Sequence, residues 1–166
     1  MTDASGNILG VRLRRPTGFK FSVAGGNDGL FIPSPPRDDP SSLLICEGPT
    51  DAAALIDMSF FNVVGRPNCS GGIKLLVELT QRRQPAEVVI VADGDEPGQH
   101  GADNLASVLL AYVPYVRVIQ PPQNLKDVRA WLQAGGVKEL VQRAITAAPA
   151  RRLAIRTIAV HGGKAR

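Results

Sequence analysis

The sequence has little cysteine or histidine, with two residues of each type among 166. A structural zinc site needs four such ligands at matched spacing. Cys46 lies inside an apolar run, where a small buried core residue is the simplest interpretation. A structural zinc site is therefore not expected, and the low cysteine content fits a reducing cytoplasm.

Long hydrophobic runs are also absent from the sequence. No apolar stretch approaches the roughly 20 residues that a membrane helix needs, and no basic segment followed by an apolar one marks a signal peptide. The chain also lacks a Walker phosphate loop and a dinucleotide-binding glycine motif. With 44% hydrophobic but only 5% aromatic residues, the expected core is aliphatic. The sequence predicts no membrane partner.

The chain shows two patterns of periodicity. Residues 8–32 alternate apolar and polar side chains around two turns, which predicts a small antiparallel β segment, and residues 33–42 break every pattern. Beyond them, strand-like and helix-like segments alternate, which predicts an α/β fold with about four parallel strands flanked by helices. The predicted strands are 43–46, 61–64, 88–92 and 116–120, and the predicted helices are 50–58, 72–83, 98–112, 126–134 and 137–147. The predicted domains are a β segment with linker (1–40), an α/β domain (41–148) and a basic tail or linker (149–166).

Two acidic segments follow predicted strands. Residues 47–51 (EGPTD) follow the first strand, and residues 93–98 (DGDEPG) follow the third. The carboxyl ends of parallel strands are where open α/β sheets bind ligands. Carboxylates gathered there repel one another unless a cation lies between them, and oxygen ligands favour Mg²⁺ or Mn²⁺. The sequence therefore predicts a divalent-metal site suited to phosphate chemistry.

The charges are unevenly distributed along the chain. The net charge is +4, with 19 basic and 15 acidic residues. Basic residues concentrate before the first acidic segment and in the last residues, and the acidic segments lie between them. This arrangement suits a polyanion that must also meet metal ions, although solvated surface charge explains any single residue equally well.

Together the acidic segments resemble the Toprim domain, the metal-binding fold shared by primases and topoisomerases. Residues 47–51 match its strand-Glu-Gly-x-x-Asp-helix pattern, and residues 93–98 match its strand-Asp-Gly-Asp-x-x-Gly-helix pattern. Residues 93–102 (DGDEPGQHGA) are similar to the primase branch, with Pro97 where alanine is usual. The resemblance covers roughly residues 43–135.

Two further segments extend the resemblance. Residues 124–132 (NLKDVRAWL) resemble an acidic segment that follows the last strand in phage-type primase-helicases. Some members of that family have two acids in this segment, and here only Asp127 matches, because Leu125 stands in place of the other acid. Asp127 is equally well explained as a residue at the N-terminus of a helix. Residues 10–33 are similar, more loosely, to the β segment that precedes Toprim in primase-helicases of phages and mobile elements.

The resemblance implies the catalytic core of a DNA primase, which joins ribonucleotides on single-stranded DNA. Nucleoside triphosphates and the template would be its partners, with a replicative helicase domain in the same or another chain. It implies two ions of Mg²⁺ or Mn²⁺ and no zinc. The implied metal ligands are Glu47, Asp51, Asp93, Asp95 and Asp127. Among them Glu47, Asp93 and Asp95 are the catalytic candidates, Glu47 being either a general base or a metal ligand.

A glycine-rich segment follows the second predicted strand. Backbone amides at such a helix start can bind phosphate, although a simple tight turn explains the pattern as well. The candidate contacts to phosphate or nucleic acid are Arg66, Ser70, Gly71, Gly72 and Lys74.

Two alternative functions remain open. The first is a Toprim-type nuclease, which needs only the metal ions. A topoisomerase also needs a nucleophilic tyrosine, and that activity is not expected because Tyr112 and Tyr115 both lie around the end of a predicted helix. A non-catalytic nucleic-acid-binding module with a degenerate site is the second alternative. Metal affinity distinguishes it from the enzymes, because a degenerate site should bind Mn²⁺ poorly.

Overall fold

From residue 42 onward the chain forms a parallel β-sheet with helices on both faces, and a small β-hairpin precedes it. The computed structural model describes residues 1–33 and 42–154. The hairpin strands are β1 (Arg12–Arg14) and β2 (Lys20–Ser22), and the sheet strands are β3 (Ser42–Glu47), β4 (Val63–Arg66), β5 (Glu87–Val91) and β6 (Tyr115–Ile119). The helices are α1 (Gly48–Asp57), α2 (Ile73–Arg83), α3 (Glu96–Leu109), α4 (Val128–Gln133) and α5 (Lys138–Ala147). The predicted α/β class is confirmed.

The order of the strands determines where ligands can bind. They run β4-β3-β5-β6, and every neighbouring pair is parallel. The connections therefore change direction between β3 and β5. At such a switch point the loops diverge and leave a crevice beyond the carboxyl ends of the two strands. Both acidic segments begin at this crevice.

Side chains of the strands alternate between two apolar layers. Ile45 and Val64 face the layer that contains α2 and α3, whereas Leu44 and Val89 face the layer that contains α1, α4 and α5. Trp131 of α4 is buried in the second layer. Because both faces of the sheet are covered, its strands are continuously apolar rather than amphipathic.

The N-terminal segment differs from the predicted meander. β1 and β2 pair antiparallel, with Leu13 opposite Phe21, but the third predicted strand does not join them. Phe31 instead exchanges two backbone hydrogen bonds with Gly65 of β4, at 2.8 and 3.0 Å, and Leu30 is fully buried. The free edge of β4 offers unpaired backbone groups beside apolar packing, so this segment closes the edge of the sheet instead of extending the hairpin.

The strand predicted at 61–64 is shifted toward the C-terminus. β4 starts at Val63 and continues through Gly65 and Arg66, although Gly65 and the following Pro67 are residue types that favour a loop. Gly65 is required there, because a Cβ atom would lie 2.4 Å from the carbonyl oxygen of Gly48. The close contact between β4 and the start of α1 is therefore the physical reason for the shift.

The start of α1 is also corrected. The sequence predicted a helix from residue 50, but the helix begins at Gly48 and Glu47 occupies the cap position. Glu47 makes no side-chain capping bond, so its carboxylate is not used to satisfy the helix terminus.

The beginning of the predicted basic tail covers the other edge of the sheet. Arg151 exchanges backbone hydrogen bonds with Val116 of β6, at 3.0 and 2.8 Å, and its side chain pairs with Asp103 at 2.8 Å. The rest of the tail and most of the predicted linker lie outside the described residues. The domain boundaries stay a prediction.

The helices that the structure describes contain 6 to 14 residues. Across residues 1–33 and 42–154, none combines the length and hydropathy needed to cross a membrane. The predicted cytoplasmic location stays a prediction.

Replacing Gly101 of α3 with alanine should destabilise the protein. Alanine normally stabilises a helix interior by about 0.5–1 kcal/mol relative to glycine. Here, however, the added Cβ would lie 2.0 Å from the carbonyl oxygen of Cys69. We expect the overpacking to lower the free energy of unfolding by about 1–3 kcal/mol, as measured by urea denaturation. Asn104→Ala, at an exposed position of the same helix, is the control and should leave stability unchanged or slightly higher.

Candidate metal centre

The predicted acidic residues come together at the carboxyl ends of β3 and β5. A cleft of about 440 Å³ is lined by Glu47, Asp51, Asp93 and Asp127. Asp95 lies beside it, with its carboxylate 3.8 Å from the ammonium group of Lys126, which also lines the cleft. Residues from three separate segments are therefore assembled at the switch point of the sheet.

Glycines allow the acidic loops to approach one another closely. A Cβ at Gly98 would lie 2.8 Å from the Cβ of Asp93. One at Gly94 would lie 2.9 Å from the carbonyl oxygen of Leu125, and the Gly94 amide donates to the carbonyl oxygen of Lys126 at 2.7 Å. The loop after β5 is thereby joined to the segment that carries Asp127.

Among the five acids of the cleft, Glu47 and Asp93 are the two whose carboxylates have no partner in the described part of the protein. Within the described residues, neither side chain accepts a hydrogen bond or has a cationic group within 4.0 Å. Both are half-buried, and a half-buried carboxylate without a partner is costly. Oxygen donors of this kind fit a hard divalent cation.

Asp95 and Asp127 are helix N-caps. Asp95 Oδ1 accepts from the Gly98 amide at 2.9 Å, and Asp127 Oδ1 accepts from the Ala130 amide at 2.7 Å. The helix-terminal interpretation of Asp127 is thus realised in the structure. Each cap uses Oδ1, while Oδ2 of Asp95 lies 3.8 Å from the Lys126 ammonium group and Oδ2 of Asp127 lies 3.8 Å from the Arg129 guanidinium group.

Asp51 is 5% exposed and accepts a hydrogen bond from the Arg129 amide at 3.1 Å. This bond joins α1 to α4 and therefore fixes Asp127 relative to Asp51. Burial raises the pKa of Asp51 to about 6, against the lowering effect of that hydrogen bond. Its position favours a role in orienting the other acids.

Asp93 shows the strongest electrostatic effect in the cleft. Burial raises its pKa to about 7, and the charges of Glu47, Asp51, Asp127 and Asp95 add to this. A carboxylate whose pKa is raised by four other carboxylates lies where a cation would be stabilised most. The five acids therefore form one electrostatic unit.

The acids do not form a complete ligand set by themselves. Across residues 1–33 and 42–154, no group of three or more aspartate, glutamate, cysteine or histidine side chains is arranged as one. Of the five predicted ligands, Glu47 and Asp93 fit a metal ion best because their oxygens have no other partner. The assignment of all five as ligands stays a prediction.

The predicted phosphate contacts are distributed differently. Arg66 is a buried residue of β4, with 3% of its surface exposed, and its contact to phosphate stays a prediction. In the loop that follows, the Asn68 side chain accepts from the amides of Ser70 and Gly71 at 3.0 and 2.7 Å. These amides are satisfied within a turn, while Gly72 precedes α2 with φ 77° and Lys74 is exposed on that helix.

Sequence analysis missed the cationic wall of the cleft. Arg12, Arg14 and Lys20 line it opposite the acids. Residues opposite one another in an antiparallel pair share a face, and Arg14 pairs with Lys20 while Arg12 pairs with Ser22. The alternation of residues 8–32 contained this signal, but the packing of the hairpin beside β4 did not follow from it.

Comparisons with known proteins show the fold. No protein-family model and no curated protein sequence matches the chain. Among solved structures, the DnaG primase catalytic domain bound to single-stranded DNA superposes with a TM-score of 0.70 at 21% identity, over 90% of this chain. The Aquifex aeolicus primase (zinc-binding and RNA polymerase domains) superposes with a TM-score of 0.72 at 19% identity, over 91% of this chain. The primase fragment of the bacteriophage T7 primase-helicase superposes with a TM-score of 0.64 at 21% identity, over 86% of this chain. The chain therefore has the fold of primase catalytic domains.

These structures are longer than the present chain. It spans 50% of the DnaG catalytic domain, 40% of the Aquifex aeolicus protein and 59% of the bacteriophage T7 fragment. The similarity thus covers about half of each, and the activity of the whole proteins does not transfer with the fold.

The metal-free protein should become more stable as the pH falls from about 8 to about 5. In the folded state the pKa is about 7 for Asp93 and about 6 for Asp51, above the ordinary 3.8. The folded chain therefore binds protons in this range that the unfolded chain does not bind, and stability rises with protonation. Urea denaturation at several pH values between about 5 and about 8, in the presence of a chelator, would measure this change in the free energy of unfolding.

Asp93→Asn removes the group with the higher pKa and should flatten this dependence. Asp57→Asn, at an exposed position of α1, should retain it. Stability that decreases steadily from about pH 8 downward would contradict the electrostatic coupling of the acids.

Proposed function

We propose that this chain is the metal-dependent core of a primase-type enzyme, which transfers nucleotides onto a growing RNA primer on single-stranded DNA. One observation carries the proposal. The partnerless carboxylates Glu47 and Asp93 lie at the switch point of a primase-like sheet and face a wall of arginine and lysine across a single cleft. Such a site offers oxygen ligands to metal ions and cations to phosphates at the same time.

The acidic side of the cleft would hold Mg²⁺ or Mn²⁺ through Glu47 and Asp93, with Asp95 and Asp127 contributing their second carboxylate oxygens. A bound divalent ion neutralises the negative charge that develops on a triphosphate during phosphoryl transfer. Asp51 keeps α1 and α4 together through the Arg129 amide. Glu47 is either a ligand or the group that accepts the proton of the attacking hydroxyl.

The cationic side of the cleft would hold the nucleic acid and the triphosphate. Arg14 and Lys20 are exposed on the hairpin, where their charges can reach phosphates. Arg12 is fixed by hydrogen bonds to the Pro67 carbonyl and to Asp28, at 2.8 and 3.5 Å. It therefore holds the hairpin against the loop after β4 and keeps the two sides of the cleft at a constant separation.

A primase acts where a duplex has been opened, so a helicase domain in the same or another chain is a partner that this proposal expects. A metal-dependent nuclease is the second candidate function. The same two carboxylates support it, because hydrolysis requires metal ions and a water molecule in place of a nucleotide hydroxyl.

Asp93→Asn and Glu47→Gln should each reduce primer synthesis at least about 100-fold while the fold is retained. The loss of outer-shell groups already costs 10–100-fold at metal sites, and these side chains would contact the ion. The assay combines the chain, single-stranded DNA, labelled ribonucleoside triphosphates and Mg²⁺ or Mn²⁺, and follows both labelled primers and template length on one gel.

Asp57→Asn is the matched control and should retain full activity. Labelled oligoribonucleotides that disappear in the Asp93 variant would support primase chemistry. Template shortening with the same dependence on Asp93 would assign the site to a nuclease. Full primer synthesis by folded Asp93→Asn would remove this residue from the mechanism.

Arg14→Gln and Lys20→Gln should weaken single-stranded DNA binding similarly for all sequences. A contact between a cation and a phosphate releases a counterion, so each variant should lower the slope of log affinity against log salt by about 0.7. Fluorescence anisotropy at several salt concentrations would measure this slope. Arg143→Gln on α5, outside the cleft, should leave it unchanged, and an unchanged slope in the hairpin variants would place the template elsewhere.

A further inference from the structure

Cations of the chain itself already neutralise part of the acidic centre. Lys126 lies 3.8 Å from Asp95, and Arg129 lies 3.8 Å from Asp127. Arg129 and Asp127 are two positions apart, and Lys126 and Asp95 lie on two loops that the backbone hydrogen bond from the Gly94 amide to the Lys126 carbonyl oxygen holds together. These two carboxylates therefore contribute less net negative charge to the cleft than their number suggests.

Arg66 is a third cation, and it lies beneath the centre. It is the register partner of Glu47 in the parallel β3–β4 pair, so both side chains project from the same face of the sheet. Its side chain lies on the α3 side, where Nη1 donates to the Gly101 carbonyl oxygen at 3.3 Å.

Arg66 has no carboxylate in direct contact. Among the described residues it forms no ion pair within 4.0 Å, although it is 3% exposed. Burial lowers its pKa, and the charge of Glu47 opposes this more strongly than any other charge. A buried cation of this kind needs negative charge nearby to offset its desolvation, and Glu47 and Asp93 supply it without touching it.

We propose that Arg66, Lys126 and Arg129 are built-in counter-ions of the acidic centre, and that the nucleotide-free centre consequently binds one divalent ion. When all five carboxylates are ionised, as in the metal-bound state, five negative charges facing three cations leave two negative charges, which one divalent ion balances. This inference rests on the proposed function, since it concerns the same metal site. Arg66 acts through Glu47 and Asp93 as a positioning residue. The second ion of a two-metal reaction would then arrive with the triphosphate, which brings its own negative charge.

The cations of the opposite wall do not enter this balance. Arg12 is paired with Asp28 at 3.5 Å, and Arg14 and Lys20 are exposed. Lys126 and Arg129 are exposed as well, but each lies 3.8 Å from a carboxylate of the centre, whereas within the described residues Arg14 and Lys20 form no such pair. The effect of buried Arg66 is screened by water and salt much less than that of an exposed charge.

The test is a Mn²⁺ titration of the full chain without nucleotide, in which free Mn²⁺ is counted by electron paramagnetic resonance. We expect one ion per chain. Arg66→Met should tighten Mn²⁺ binding by about ten-fold, because a unit charge near a divalent ion is removed from a partly desolvated site. Arg66→Lys keeps the charge and should bind like the wild type. If Arg66 had a purely structural role, Arg66→Met would not bind Mn²⁺ more tightly while Arg66→Lys binds it like the wild type.

Two further variants keep the test decisive. Lys126 is 70% exposed in its side chain, so Lys126→Met should fold even if Arg66→Met does not, and it should tighten binding by about two- to three-fold. Arg143→Met changes the charge equally on α5 and should not alter Mn²⁺ affinity.

The outcomes separate this inference from the proposed function. The absence of Mn²⁺ binding by the wild type would overturn the metal centre itself, and the counter-ion proposal with it. Two ions bound with similar affinity would overturn the counter-ion proposal alone. The counter-ion proposal would also be overturned if Arg66→Met folds but binds Mn²⁺ no more tightly than the wild type. If Arg66→Met does not fold, Mn²⁺ binding by Lys126→Met that is no tighter than that of the wild type would overturn it.

Discussion

Repulsion between carboxylates gathered at the ends of β3 and β5 is the constraint on which the rest of this structure depends. The sheet places Glu47 and Asp93 at the carboxyl ends of adjacent strands. The first turn of α1 adds Asp51, and the N-caps of α3 and α4 add Asp95 and Asp127. In a half-buried cleft this repulsion is not removed by water, so the fold must oppose it with covalent geometry, capping bonds and positive charge. Close backbone contacts, capping bonds and positive charges all lie next to the acids.

Backbone contacts provide much of this opposition. Gly65, Gly94, Gly98 and Gly101 all lie where a Cβ atom would meet neighbouring atoms at 2.9 Å or less. These contacts bind the acidic loops to β4, to α3 and to one another, so the charged side chains cannot separate without the loss of dense packing. Helix caps contribute in the same way, because a carboxylate that caps a helix is stabilised in its charged form.

The sequence allowed the fold and the principal acids to be predicted because the signals were local. An apolar run followed by Glu47 or Asp93 identifies the end of a buried strand, and Pro97 marks the first turn of α3. The burial of Arg66 was not predictable, because the preceding Gly65 and the following proline are typical of a loop. Its position depends on Glu47 beside it and Gly101 above it, which are distant along the chain. The attachment of Phe31 to β4 was missed for the same reason.

The two hydrogen bonds between Phe31 and Gly65 have a thermodynamic consequence. Together with the hydrogen bond from Arg12 to the Pro67 carbonyl oxygen, they make the hairpin wall and the strand that carries Arg66 parts of one cooperative unit. A ligand on either wall would reduce the local fluctuations of both. The second ligand would then lose less conformational entropy on binding, so an ion on the acidic side and a polyanion on the basic side would strengthen one another's affinity without any change in the average structure.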